Sequence, residues 1–243
     1  MTIASAMLPL AVLMGFQAQK AALPGDPQVA AFRKSTVASV SDAVDQITGK
    51  RGFMSHDMRP QITGHYQAVG RARTAYVKKA PASQSTPQTA VKHSVAMIDD
   101  GKPGEVGVIV MEDGLDVAVL GGLMATAAKS RGMAGIIADG GLRDLAEIRA
   151  LGLSVFARSV VPSTAVSRYV TVFMDQEVTC AGIKVSPGDI IVAGEDGVVV
   201  VPKDRAAEVL KRSQEIDDRE TKMVPFIKQF RSLTKAIEKF NRI

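Results

Sequence analysis

Between residues 106 and 157, short apolar runs alternate with stretches of helical spacing, and this alternation constrains the chain more than any other feature of it. Residues 106–110, 117–120, 134–137 and 155–157 read as strands, with helices expected over 123–130 and 145–150. Strands that are apolar throughout need cover on both faces, which argues for an α/β layer architecture. The texture then changes. Residues 178–185, 190–193 and 198–201 read as strands parted by the turn tripeptides Pro187-Gly188-Asp189 and Glu195-Asp196-Gly197, followed by a long helix from near Lys203 or Asp204. Upstream, a helix over 29–47, a loop over 51–64, a strand over 67–77, a loop over 81–87 and a short helix over 92–100 complete the reading.

At 243 residues, with 46% hydrophobic and 23% charged side chains, the chain can bury a sizeable core and falls outside the disordered class. One cysteine, Cys180, excludes an intrachain disulfide framework and a Cys-cluster zinc site; in its apolar strand it is expected to pack as a small hydrophobe. No Trp and 5% aromatic residues leave few platforms on which nucleic-acid bases stack. His56, His65 and His93 lack metal-ligand spacing, Ser159 and Ser163 lack the Gly-x-Ser-x-Gly setting of serine hydrolases, and no Walker or Gly-x-Gly-x-x-Gly motif follows a strand.

The net charge of +5 is local, because residues 222–243 hold six Lys or Arg and one Glu. Met223, Phe226, Ile227, Phe230, Leu233, Ile237 and Phe240 recur there at helical spacing, so a basic amphipathic helix that docks or contacts another subunit is expected, rather than a nucleic-acid binder. At the other end the apolar run 3–16 is too short to span a bilayer. No Lys or Arg precedes it, and no clean small-x-small site follows. A retained packing segment in a cytoplasmic protein is expected, with an export signal over residues 1–24 as the alternative.

Chemistry concentrates between Gly121 and Glu147. Gly121-Gly122 joins a strand to a helix whose positive end leaves backbone N–H groups ready for an anion. A second glycine turn, Asp139-Gly140-Gly141, is expected at the end of the next strand, with Arg143 and Asp144 at the mouth of the helix beyond. Open α/β sheets bind ligands at such strand ends. Arg143 suits a substrate carboxylate, and Asp144 suits a divalent cation that keeps several waters. The alternative is an Arg–Asp pair that caps the helix.

This stretch resembles the family of the regulator of ribonuclease E activity, which includes divalent-metal-dependent 4-hydroxy-4-methyl-2-oxoglutarate and 4-carboxy-4-hydroxy-2-oxoadipate aldolases. The likeness covers roughly residues 35–220. Its most specific part is the spacing acidic-x20-Arg-Asp-x2-acidic, matched by Arg143, Asp144 and Glu147. The segments beginning Arg131-Gly132-Met133, Val40-Ser41-Asp42-Ala43 and Pro187-Gly188-Asp189 look like it as well. One position departs: where the aldolases carry an acid, twenty-one residues before the Arg, this chain has Gly122.

The resemblance implies a compact α/β/β swivelling-domain-like fold with a C-terminal helix, divided as an N-terminal extension or leader (1–28), the family domain (29–221) and the basic helix (222–243). It implies a homotrimer or homohexamer with clefts between subunits, a small-molecule 2-oxo acid as partner, and neither DNA nor membrane. By position, Arg143 would hold the substrate carboxylate, Asp144 would bind Mg2+ or Mn2+, and the backbone at Gly122, Leu123 and Met124 would hold substrate oxygens. Asp42 and Glu220, approaching from a neighbouring subunit, would hold metal waters; the alternative for either is a solvated surface charge. The implied reaction is retro-aldol cleavage of a 4-hydroxy-2-oxo acid to pyruvate, or decarboxylation of oxaloacetate. Glycine at 122 keeps the backbone part and deletes a carboxylate, so Gly122→Asp is expected to raise aldolase turnover. The rival function is that of a non-catalytic protein-binding regulator like the ribonuclease inhibitor.

Overall fold

A computed structural model describes residues 25–62 and 67–241. The apolar run 3–16 and His65 lie outside them. In chain order the elements are α1 (Pro27–Phe32), α2 (Val37–Thr48), β1 (Arg59–Pro60), β2 (Ala68–Lys79), α3 (Pro87–Asp99), β3 (Val106–Met111), β4 (Ala118–Leu120), α4 (Gly122–Ser130) and β5 (Gly135–Leu142). They continue with α5 (Leu145–Leu151), β6 (Val155–Val160), β7 (Tyr169–Met174), β8 (Val178–Cys180), β9 (Ile183–Val185), β10 (Ile190–Gly194), β11 (Gly197–Val201), α6 (Ala206–Phe230) and α7 (Leu233–Phe240).

Among the described residues one sheet runs β1-β6-β5-β3-β2-β10-β11, with β4 added beside β5 and β7 beside β2, while β8 and β9 form a separate hairpin. Strands β2, β3, β5 and β6 are parallel to one another, and β10 and β11 are antiparallel. The strands are apolar throughout because alternate residues enter different cores. From β3, Ile109 and Met111 join α3, α4 and α5 in one cluster, while Val106, Val108 and Val110 join the β8–β9 hairpin in a second. Along β11, Val198 and Val200 enter that second cluster, and Val199 and Val201 pack with α1, α2 and α6 in a third. The mixed α/β class with helices closing the C-terminal end stands as expected.

Several boundaries differ from the sequence reading. The single helix over 29–47 is two, because the Thr36 side chain accepts from Ser39 N–H at 3.1 Å and starts α2 afresh. The strand over 178–185 is a hairpin, turned at Ala181 and Gly182 in left-handed conformations (φ 44° and 86°). Strand β7 was not anticipated; its mixed burial hides the period. Asp139-Gly140-Gly141 is no turn: all three residues are buried inside β5, which ends at Leu142. At the C-terminus α6 passes unbroken through residues 221 and 222, and the basic segment is the end of α6 plus α7, parted at Arg231 and Ser232. Among the described residues no helix is long and apolar enough to cross a membrane.

Candidate active site

Two chain reversals build the site. After β4 the backbone turns at Gly121 directly into α4, which has no acidic residue in its first turn and no side-chain cap. After β5 it turns at Arg143 and Asp144 into α5, and Arg143 N–H donates to Leu120 C=O at 3.1 Å, tying the two reversals together. Since β4 and β5 are parallel, both reversals lie at the same end of the sheet.

Asp144 is a non-glycine residue in the left-handed region (φ 57°, ψ 39°), a conformation that costs about 1 kcal/mol or more. Its carboxylate does not cap its own helix; Gly122 N–H donates to Asp144 Oδ2 at 3.0 Å instead. The capping alternative thus holds for the start of α4, whose first N–H the Asp144 carboxylate takes, and not for α5. Arg143 Nε lies 3.8 Å from Asp144 Oδ2, with the two side chains 44% and 42% exposed. The Arg143 guanidinium makes no hydrogen bond and no closer ion pair among the described residues, so its fork stays open to a planar anion. A Cβ at Gly121 would meet Asp144 Oδ2 at 2.9 Å and Arg143 Nε at 3.1 Å, so only glycine permits this approach.

The first N–H of α4 with an acceptor inside the helix is that of Ala125, bonded to Gly121 C=O at 3.0 Å. The N–H groups of Leu123 and Met124 are left pointing out of the helix end, beside a Leu123 side chain that is 89% exposed. Gly122, Leu123, Met124, Arg143 and Asp144 thus come together, with Glu147 in the first turn of α5 alongside. Asp42 and Glu220 do not join them within one chain. Asp42 lies on α2, which packs on α6, β10 and β11, and Glu220 lies on α6 itself.

Among the described residues no group of three or more His, Cys, Asp or Glu side chains is placed to hold a metal ion. Asp144 presents its carboxylate at a solvent-facing helix end, with the Glu147 carboxylate close to Gly122 and the outward N–H groups of Leu123 and Met124 beside it. That donor set fits Mg2+ or Mn2+ held by one or two carboxylates and water, and does not fit a closed zinc site.

Sequence reasoning missed a second polar cluster. Arg158 donates from Nε to Asp57 at 2.8 Å and from Nη1 to buried Asp139 at 2.9 Å, and Ala181 N–H donates to the other Asp139 oxygen at 2.5 Å. This clamp pins the β8–β9 hairpin to β5, at one wall of a cavity of about 670 Å³ that Tyr76, Glu112 and Glu177 also line. Burial pushes the Asp57 carboxyl upward, but the Ser55 hydroxyl and the Arg158 guanidinium outweigh it and hold it below its usual value. The signal is the acid of Asp139-Gly140-Gly141, obscured because a glycine pair reads equally well as a turn and as close packing inside a strand. Cys180 is fully buried as expected, and burial raises its thiol pKa well above the ordinary value.

Comparison with known proteins agrees with this architecture. A family profile described as RraA-like, Aldolase/RraA, matches residues 37–200. A protein of Halalkalibacterium halodurans named "Putative 4-hydroxy-4-methyl-2-oxoglutarate aldolase" is 30% identical over 184 residues, 75% of this chain and 80% of that protein. Among solved structures, an uncharacterized protein from Pseudomonas syringae pv. tomato superposes with a TM-score of 0.78 at 25% identity, over 90% of this chain and 99% of that one. Streptomyces coelicolor RraAS2, described as an unusual member of the RNase ES inhibitor RraA family, shares the fold with a TM-score of 0.71 at 24% identity, covering 82% and 96% of the two chains.

Proposed function

The chain belongs to the RraA-like (Aldolase/RraA) family, and from that premise we propose that it is a carbon–carbon lyase acting on a 2-oxo acid with Mg2+ or Mn2+. The reactions are retro-aldol cleavage of a 4-hydroxy-2-oxo acid to pyruvate and decarboxylation of oxaloacetate. One observation carries this reading: an open guanidinium, a strained carboxylate and two outward N–H groups converge at the ends of two parallel strands.

Arg143 takes the substrate carboxylate in its fork, a geometry that lysine does not reproduce. The N–H groups of Leu123 and Met124, at the positive end of α4, donate to substrate oxygens where negative charge develops as the bond breaks. Asp144 would hold the ion, and its orientation is set by the Gly122 N–H bond. When bound, the ion supplies Lewis-acid polarisation of the 2-oxo group. Aldol cleavage needs in addition a base for the C4 hydroxyl proton, whereas decarboxylation does not. Asp42 and Glu220 of a neighbouring protomer, in a trimer or hexamer, complete the water network in this proposal.

The test is pyruvate release from oxaloacetate and from 4-hydroxy-4-methyl-2-oxoglutarate, with Mg2+ and with EDTA. Release that needs Mg2+ supports the lyase, and no release from either substrate overturns it. A second reading, a protein-binding regulator, draws on the fold shared with RraAS2 and on the basic ends of α6 and α7. It requires a stable complex with a ribonuclease and no turnover.

A further inference from the structure

The last two helices, α6 and α7, close into a hairpin whose turn lies beyond residues 37–200, the span that the family profile matches. Ser232 caps α7 by accepting from Lys235 N–H at 3.2 Å, and Arg219 Nη1 donates to Asn241 C=O at 3.2 Å, tying the end of α7 back to α6. Between the two helices the Phe226 ring meets those of Phe230 and Phe240, at 4.5 and 5.6 Å between centroids, and Ala236 is fully buried. The hairpin thus packs its own apolar face. Val224, Phe230 and Leu233 are nonetheless 49%, 47% and 50% exposed, and the last two flank the reversal at Arg231 and Ser232. Lys222, Lys228, Arg231, Lys235 and Lys239 stand exposed among them, and residues 222–243 hold the whole of the chain's net charge of +5.

An apolar tip set among cations fits an anionic lipid surface better than it fits another macromolecule. Lysine is depleted at protein interfaces, and a two-fold contact between copies would set like charges face to face. RNA phosphates would pair with the cations but gain nothing from the aliphatic Val224 and Leu233. A bilayer interface takes both parts: apolar side chains enter at the level of the headgroups, and Lys and Arg rest on the anionic lipids around them. We propose that the hairpin of α6 and α7 docks this protein on the surface of an anionic bilayer, with Phe230 and Leu233 entering it and the surrounding cations on lipid phosphates. The hairpin lies on the membrane and does not span it, since no helix among the described residues is long and apolar enough to cross one. The expectation of no membrane partner came from a resemblance that ends near residue 220, and this tip lies past it.

The experiment is co-sedimentation of the full chain with vesicles of phosphatidylcholine alone and with vesicles of equal parts phosphatidylcholine and phosphatidylglycerol. Binding to the anionic vesicles is expected to be at least about tenfold tighter, and to weaken as salt is raised to about 0.5 M. Phe230→Ser with Leu233→Ser, and separately Lys228→Gln with Lys235→Gln, are each expected to weaken it at least about tenfold. Thermal melting should be nearly unchanged in both, because all four side chains are exposed. The chain has no Trp, so Phe230→Trp places a lone indole at the tip. Its emission should shift to the blue when anionic vesicles are added. Vesicle binding that survives both double variants belongs to another part of the chain, and an indole that does not shift has stayed in water; either result overturns the proposal. So does binding of polyuridylic acid without binding of anionic vesicles, or an oligomer that the tip substitutions dissociate while the native protein ignores vesicles.

Discussion

Gly122 N–H and Asp144 Oδ2 are joined at 3.0 Å, so the first residue of one helix orients the carboxylate that precedes the next. Asp144 accepts a left-handed backbone to make that bond. The strain and the hydrogen bond are of similar size, about 1 kcal/mol each, and nearly cancel.

Asp144→Asn should therefore cost less than about 1 kcal/mol of stability, because Asn tolerates the left-handed region. Metal-dependent pyruvate release should fall by about a hundredfold or more. Thermal melting read beside turnover checks the pair of outcomes, and a large stability loss with activity kept would contradict the assignment.

Arg143→Lys keeps the charge and loses the fork. KM for oxaloacetate should rise at least about tenfold, with little recovery relative to Arg143→Gln. Steady-state kinetics of the two variants decide it.

The Arg158 clamp gives the fold an acid-sensitive joint. The Asp57 carboxyl titrates below its ordinary value of 3.8 when folded, so its contribution is complete above that value and is lost as pH falls through the lower, folded one. Urea midpoints measured from pH 6 down to pH 3 should fall less steeply at the acid end in Asp57→Asn than in the native protein. Arg158→Ala leaves Asp139 buried beside Ala181 and should cost about 2 kcal/mol at neutral pH, allowing for the partial exposure of the arginine.

Leu123 projects 89% exposed from the start of α4, where an isolated chain gains nothing from an apolar side chain. If protomers meet there, Leu123→Glu should shift a trimer toward monomer in sedimentation velocity while the circular dichroism of the chain is kept. An unchanged sedimentation coefficient would remove Leu123 from the interface.

How far the sequence could be read depended on whether neighbouring residues stated the same pattern. Residues 106–110 are apolar at every position and Val106–Met111 is a strand, because burial on both faces needs no phase. Arg143, Asp144 and the start of α4 were legible because glycines adjoin a strand end and a helix start. Asp139-Gly140-Gly141 misled, since glycine marks close approach inside a sheet as readily as it marks a turn; a Cβ at Gly141 would meet Val117 C=O at 2.8 Å. The reach of Glu147 across to Gly122 was not legible, because no local pattern encodes which of two helix starts a long side chain will lean toward.

The unbroken run of α6 bears on how the chain can be shortened. Its 25 residues span about 37 Å. Cutting the polypeptide after residue 221 would sever that rod mid-turn, strip Met223 from its buried seat and leave a fresh row of carbonyl groups facing water with no N–H to receive. The positively charged tail thus begins inside the same helix that packs beside α2, with Pro225 as the one helix position there that donates no backbone hydrogen bond.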